Sequence, residues 1–168
     1  MVKTSSRRST GIAGLDLVLD GGFPPEAHIV VSGSPLSGLE LLAQQFWRTG
    51  NAAGAYLMLD TVPLEGMTDA RGMDITALVG AVQGERIVID SLSTLIADRG
   101  IDAAIRFIRE DVQAAVDEGA TIVYLLYAGL HGPFEEARGM RAADVFITLT
   151  QQSHGNEIER TLAIEKLR

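Results

Sequence analysis

The sequence predicts an α/β domain whose central sheet is mainly parallel, with helices on both faces and an antiparallel hairpin at the carboxyl end. Short apolar runs alternate with longer amphipathic segments, which is typical of such a sheet. The 168 residues suit one domain, and the 46% hydrophobic share is ample for one core. No repeat, linker or composition break divides the chain. We therefore predict a flexible basic tail over 1–9 and a single domain over 10–168.

Five apolar runs have the composition of buried strands, because they are rich in Val, Ile, Leu and Tyr. They lie at 28–32, 55–59, 86–89, 121–127 and 145–150. Their spacing along the chain leaves room for a helix between successive strands. This arrangement favours parallel pairing over a meander of hairpins.

Helices and a final hairpin account for the rest of the pattern. A helix is predicted from the end of the first glycine loop to Trp47, and apolar spacing predicts another from Ile101 to Val116. Gly119 follows as a carboxyl-terminal cap. Segment 159–167 alternates polar and apolar residues after a Gly155-Asn156 turn, so we predict that it pairs with 145–150.

Charge and composition exclude several function classes. The chain has 14 Lys plus Arg against 22 Asp plus Glu, a net charge of −8, which disfavours a nucleic acid partner. Lys3, Arg7 and Arg8 precede the first acid, Asp16, in the predicted tail. Without cysteine, disulfides and thiolate metal sites are excluded. The longest apolar run, 122–130, is too short to span a bilayer and no signal peptide is visible, so we expect a cytoplasmic protein without membrane contact.

A glycine loop follows the first strand with the spacing of a phosphate-binding P-loop. Gly33 and Gly38 match G-x-x-x-x-G between strand and helix, but Leu39 and Glu40 stand where the motif has Lys and Ser/Thr. The lysine would reach the β- and γ-phosphates, and the hydroxyl would hold Mg²⁺. Losing two charged hydrogen bonds of roughly 1.5–3 kcal/mol each weakens nucleotide binding by about two to four orders of magnitude. The candidate nucleotide-binding loop comprises Gly33, Ser34, Pro35, Leu36, Ser37, Gly38, Leu39 and Glu40.

Glu40 adds a charge that opposes phosphate. A carboxylate in the first turn of a helix occupies the place where the helix dipole would attract an anion, and it stabilises the helix there by about 0.3–1 kcal/mol. We interpret Glu40 as an internal substitute for the missing phosphate. The alternative is an ordinary first-turn Glu in a unit unrelated to nucleotides.

Other segments, taken in order, resemble the KaiC family of RecA-like ATPases over nearly the whole chain. Its opening signature is similar to Thr10-Gly11-Ile12, Gly14-Leu15-Asp16 and Gly21-Gly22-Phe23-Pro24. Segment 86–93 resembles the Walker B strand, with Asp90 at the position that assists Mg²⁺, and 142–149 is similar to the next-to-last strand. The resemblance implies a RecA-like, P-loop-type fold. An alternative role for Asp90 is to cap a helix or start a turn.

The resemblance also implies roles for residues at the carboxyl terminus, and it shows positions at which this sequence differs from the family pattern. Lys166-Leu167-Arg168 matches a Lys-x-Arg ending whose cations, in active members, reach the nucleotide of a neighbouring subunit. Lys166 and Arg168 are therefore candidate trans-acting residues, or else polar positions on a terminal strand. Leu36 replaces a family glycine that lets the backbone close around phosphate, and its side chain is expected to crowd that approach. Asp60 and Thr61 replace a Glu-Glu pair, so Asp60 and Asp90 are predicted to be remnants of a catalytic site.

The remaining polar residues give weaker signals. His28, His131 and His154 lack metal-ligand spacing with one another and are expected to be structural, so no metal site is predicted. The serines near the glycine loop, Ser32, Ser34 and Ser37, have no histidine base that can be identified from sequence. The loop over 129–132 follows a strand at the edge where open α/β sheets bind ligands, and either a plain loop or a small-molecule site fits it.

These departures predict a KaiC-like pseudo-ATPase that is not an enzyme and serves as a regulatory, signal-transduction or scaffolding module. No cofactor is expected, and the expected partner is a protein, either a second copy or a KaiC-like homologue. The first alternative is a weak ATPase, with ATP and Mg²⁺, completed in trans by a partner or neighbouring subunit. A RecA-like DNA-recombination accessory protein is the second, and charge disfavours it.

Overall fold

A seven-stranded sheet organises the chain in the computed structural model, which describes residues 6–50 and 54–168. The strands are β1 (Ala27–Gly33), β2 (Gly54–Met58), β3 (Thr68–Asp69), β4 (Arg86–Asp90), β5 (Thr121–Tyr127), β6 (Val145–His154) and β7 (Glu157–Leu167). Their order is β3-β2-β4-β5-β1-β6-β7. All neighbours pair in parallel except β6 and β7, which form an antiparallel hairpin around Gly155 and Asn156. The predicted fold class is therefore confirmed.

Helices cover both faces of this sheet. They are α1 (Ala13–Val18), α2 (Leu39–Arg48), α3 (Ile75–Ala81), α4 (Leu92–Arg99), α5 (Ile101–Arg106), α6 (Gln113–Asp117) and α7 (Pro133–Ala142). Helices α1 and α2 pack in one apolar cluster, whereas α3 to α7 pack in the other. Every residue of β1 and β5 is buried, as expected for parallel strands covered on both faces. No helix within the described ranges is long and apolar enough to cross a membrane.

The predicted helix from Ile101 to Val116 is interrupted. A π-helical turn, Phe107–Asp111, separates α5 from α6, and the Val112 N–H donates to the Phe107 carbonyl five residues earlier at 3.2 Å. The wider turn allows Phe107 and Ile108, both fully buried, to share the core face with Val112. Helical periodicity alone cannot reveal this extra residue. The two-residue strand β3 is likewise too short to leave a sequence pattern.

Arg8 belongs to the folded domain, although it lies inside the tail predicted over 1–9. It pairs antiparallel with Phe23, with both backbone hydrogen bonds at 2.8 Å. Its guanidinium donates to Glu85 at 2.8 Å and to the Gly119 carbonyl at 2.6 Å. The prediction of a flexible tail is therefore wrong for Arg8. Residues 1–5, including Lys3, lie outside the described residues.

Candidate functional site

The glycine loop is closed by its own serine side chain. Gly38, with φ of 93°, precedes α2, and the Ser37 N–H donates to the Ser34 carbonyl at 3.0 Å. The Ser37 hydroxyl donates to the same carbonyl at 2.6 Å and is buried. A Cβ at Gly33 would lie 2.5 Å from the Ser37 Oγ, so only glycine fits beside this folded-in side chain. The interior of the loop therefore holds a hydroxyl of the chain itself.

Leu36, Leu39 and Glu40, the other altered positions of the motif, lie in three different environments. Leu39 is fully buried in the apolar cluster beneath α2. Leu36 is 70% exposed, and the side chain that folds back into the loop is that of Ser37. The Glu40 Oε1 accepts a hydrogen bond from the Tyr127 hydroxyl at 2.9 Å. The first turn of α2 is thus tied to the carboxyl end of β5.

Asp90 is a buried carboxyl group at the end of β4. It is 2% exposed, and its Oδ2 accepts a hydrogen bond from the Tyr56 hydroxyl at 2.7 Å. Burial raises the pKa of Asp90 to about 6, with smaller contributions from the charges of Glu40 and Asp60 and against the lowering effect of the Tyr56 hydrogen bond. Glu40, Asp60 and Asp90 therefore act on one another as an acidic group, which we call the carboxylate cluster.

Two tyrosines supply the hydrogen-bond donors of the carboxylate cluster. Burial and the charge of Asp90 raise the pKa of Tyr56 and of Tyr127 well above the ordinary range. Both hydroxyls consequently keep their protons and donate to carboxylates. Tyr127 lies opposite Gly33 in the β1–β5 register, which brings its side chain next to the glycine loop. Neither tyrosine is a motif position, so the sequence analysis missed both.

Asp90 does not cap the following helix, so the capping role predicted as an alternative is wrong. The Ser91 hydroxyl takes this role instead, because its oxygen accepts a hydrogen bond from the Thr94 N–H at 3.1 Å. Asp90 is left facing Tyr56.

Lys166 and Arg168 both have partners within the chain. The Lys166 ammonium donates to the carbonyls of Met140 and Arg141 at 3.2 Å each, and to Ala143 at 2.5 Å. These carbonyls lie at the carboxyl end of α7, where a cation complements the helix dipole. Arg168 pairs with Asp144 at 2.9 Å. Both cations thus lie at the carboxyl end of α7.

Comparison with known proteins supports the α/β fold described above. Residues 8–78 match the family model described as "ATPase: KaiC". A KaiC-like protein from Pyrococcus horikoshii superposes with a TM-score of 0.77 and 18% identity, covering 97% of this chain and 89% of that one. The chain thus resembles KaiC ATPases in sequence over residues 8–78, and it shares the RecA-type fold of a KaiC-like protein. The flagellar accessory protein FlaH from Methanocaldococcus jannaschii has the same fold, with a TM-score of 0.70 and 15% identity over 92% of this chain and 84% of FlaH.

Curated relatives of this KaiC-like chain match over shorter stretches. A UPF0273 protein of Methanopyrus kandleri is 29% identical over 90 residues, which is 52% of this chain and 36% of that protein. A UPF0273 protein of Thermotoga maritima is 36% identical over 62 residues, 35% of this chain and 26% of its own length. The match therefore spans about a third of the first relative and a quarter of the second.

The KaiC-like fold brings together only part of the predicted site. The glycine loop, Asp60 and Asp90 share one end of the sheet, where the carboxylate cluster forms. Lys166 and Arg168 lie apart from it, at the end of α7. Within the described residues, no group of three or more His, Asp or Glu side chains is arranged to hold a metal ion.

We expect Asp90→Asn to stabilise the protein above about pH 7, because it removes a buried charge and leaves an acceptor for Tyr56. The pKa of Asp90 is about 6 in the folded chain against a usual 3.8, so its contribution is complete below about pH 4 and is lost as pH rises through 6. The gain at about pH 8 should be on the order of 1–3 kcal/mol. Urea unfolding across this pH range measures it.

The matched control is Asp98→Asn, which changes an exposed carboxylate near the carboxyl end of α4. This variant should unfold with the pH dependence of the wild-type chain. Asp90 would have a different role if Asp90→Asn lowered the free energy of unfolding near pH 8, or left its pH dependence unchanged.

We expect Lys166→Met to destabilise the isolated chain by about 1 kcal/mol, because it keeps the aliphatic stem but removes the cation at the end of α7. For a chain of this size, that loss corresponds to a melting temperature lower by about 2–4 °C. Thermal unfolding at two protein concentrations measures it. Arg106→Met, at an exposed position on α5, is the control. Equal stability of Lys166→Met and wild type would contradict a role within the chain.

Proposed function

We propose that this KaiC-like chain has lost ATP hydrolysis and strong nucleotide binding, and that it acts as a regulatory or scaffolding module. The observation that carries the proposal is the Glu40 carboxylate, held by Tyr127 in the first turn of α2. A phosphate drawn to that helix end would meet a negative charge. At a separation of about 4 Å, two unit charges near a protein surface repel by about 4 kcal/mol, which exceeds the strength of one charged hydrogen bond.

The rest of the site also fits Mg·ATP poorly. Leu39 is buried in the core, and the Ser37 hydroxyl turns back onto its own loop. Asp90 is engaged by Tyr56, and burial makes its charged form costly, so it is a poor ligand for Mg²⁺. The glycine loop over 33–40 contains no Lys or Arg. No catalytic step through a nucleotide follows from these residues.

Exposed apolar side chains support a role in binding protein. Leu17 and Val18 on α1 and Leu41 on α2 are each more than 60% exposed. Leu41 lines one cleft and Val18 lines a second, and both clefts are also lined by Ile12 and Leu162. Contiguous apolar surface of this kind marks interaction sites in proteins. The partner we propose is a second copy or another KaiC-like protein.

A weak ATPase is the second candidate, and Arg160 favours it. This residue of β7 lies beside the loop, with its Cδ 3.8 Å from the place that a Cβ on Gly38 would take. Its Nε donates to Gln151 at 3.0 Å, which leaves other guanidinium donors for a ligand. An arginine in this place could substitute for the missing loop lysine.

Isothermal titration of the full chain with Mg·ATP separates the two candidates. The pseudo-ATPase predicts no micromolar binding and no phosphate release, because the loop lacks a cation and carries Glu40. Glu40→Ser removes that charge and supplies the hydroxyl of the motif, so any weak binding should increase in this variant. Micromolar binding or turnover by the wild type, abolished by Arg160→Ala or Asp90→Ala, would overturn the proposal and establish the weak ATPase.

A further inference from the structure

Three side chains in the cleft beside Asp60 are connected in series by polar contacts. They are Ser93, His131 and Glu135. The Ser93 Oγ lies 2.9 Å from the Nε2 of His131, and the His131 Nδ1 lies 3.2 Å from the Oε2 of Glu135. These are the contacts of a nucleophile, a base and a carboxylate that orients the base. Neither the KaiC resemblance nor the proposed function uses them.

Burial holds Ser93 and His131 in one arrangement. Ser93 is 4% exposed and the His131 side chain 6%, whereas the Glu135 side chain is 36% exposed. A carboxylate beside Nδ1 favours the tautomer that carries its proton there, which leaves Nε2 as an acceptor. The Ser93 hydroxyl therefore donates to Nε2. This is the direction in which a general base removes a proton.

The fold assembles the three residues from separate elements. Ser93 is the second residue of α4, His131 lies in the loop after β5, and Glu135 is in the first turn of α7. The Tyr127 N–H donates to the Ser93 Oγ at 2.8 Å, which stabilises negative charge on that oxygen. The Thr94 N–H is taken by the Ser91 hydroxyl, so the Leu92 and Ser93 N–H groups at the start of α4 are the donors that an oxyanion would meet.

A cleft gives access to the three side chains. Its volume is about 560 Å³, and both Ser93 and His131 line it. Apolar walls come from Ile96, Ala97 and Leu130. Asp60 and Asp98 add negative charge, so the cleft suits a small uncharged or cationic substrate and repels an anionic one.

We propose that Ser93 is the nucleophile of a hydrolytic site for short, non-anionic carboxylic esters. The Ser93 Oγ bonds to the ester carbonyl carbon while its proton passes to the His131 Nε2. The C–O bond to the leaving alcohol then breaks, the alcohol takes that proton, and Ser93 retains the acyl group. Water, deprotonated by His131, attacks the acyl carbon, and the released Ser93 oxygen recovers the proton. Ester and water thus become acid and alcohol, and Glu135 acts as a positioning residue.

Active-site labelling of the wild-type chain tests this site directly. A fluorophosphonate probe should modify Ser93, and tryptic mass spectrometry locates the label. Labelling needs no variant, so it remains informative if a substitution prevents folding. No label, or a label on another serine, would overturn the proposal.

Hydrolysis of p-nitrophenyl acetate provides the second measurement. Ser93→Ala and His131→Gln should each lower kcat/KM by about 100-fold or more. Ser153→Ala, which changes an exposed serine of β6, is the control and should leave the rate unchanged. Glu135→Gln should lower kcat with KM unchanged, a split that a merely structural role would not produce. Wild-type rates in Ser93→Ala, with folding verified by circular dichroism, would also overturn the proposal.

Discussion

The hydrogen bond from Tyr127 to Glu40 is the contact on which the site depends. The parallel β1–β5 register places Tyr127 opposite Gly33 and so brings its side chain to the glycine loop. The same residue donates through its backbone to Ser93. One residue at the end of β5 therefore contacts both the first turn of α2 and the first turn of α4. A shift of either helix end would move Tyr127, which contacts the other.

Electrostatics gives this contact its functional meaning. RecA-type folds present the carboxyl ends of parallel strands and the amino ends of helices at one edge, an arrangement that suits anionic ligands. Here that edge carries the carboxylate cluster, in which Asp90 and Glu40 each accept a hydrogen bond from a tyrosine hydroxyl and the pKa of Asp90 is raised. The chain supplies its own negative charges where a nucleotide would bring phosphates. This is why the KaiC-like fold and an absence of strong nucleotide binding are compatible in the account we propose.

The sequence predicts the fold class correctly, but it does not predict most of the contacts in the site. Buried strands such as β5 leave unbroken apolar runs, and the Gly155-Asn156 turn marks the final hairpin, so the fold class and the hairpin followed from local patterns. The partner of Glu40 could not be predicted, because it depends on strand register rather than on neighbouring sequence. Ser93 and His131 are 38 positions apart, and only the folded sheet brings them into contact. The inward direction of the Ser37 side chain depends on the backbone of the loop, and the sequence carries no pattern for it.

The central claim is that the glycine loop is filled and charged by this chain's own side chains and does not accept phosphate. An NMR titration of the isotopically labelled chain with Mg·ATP tests this most directly, by following the backbone amides over 33–40. The account predicts that these resonances keep their positions up to millimolar nucleotide. Saturable shifts of the Gly38 and Leu39 amides at micromolar Mg·ATP would contradict it.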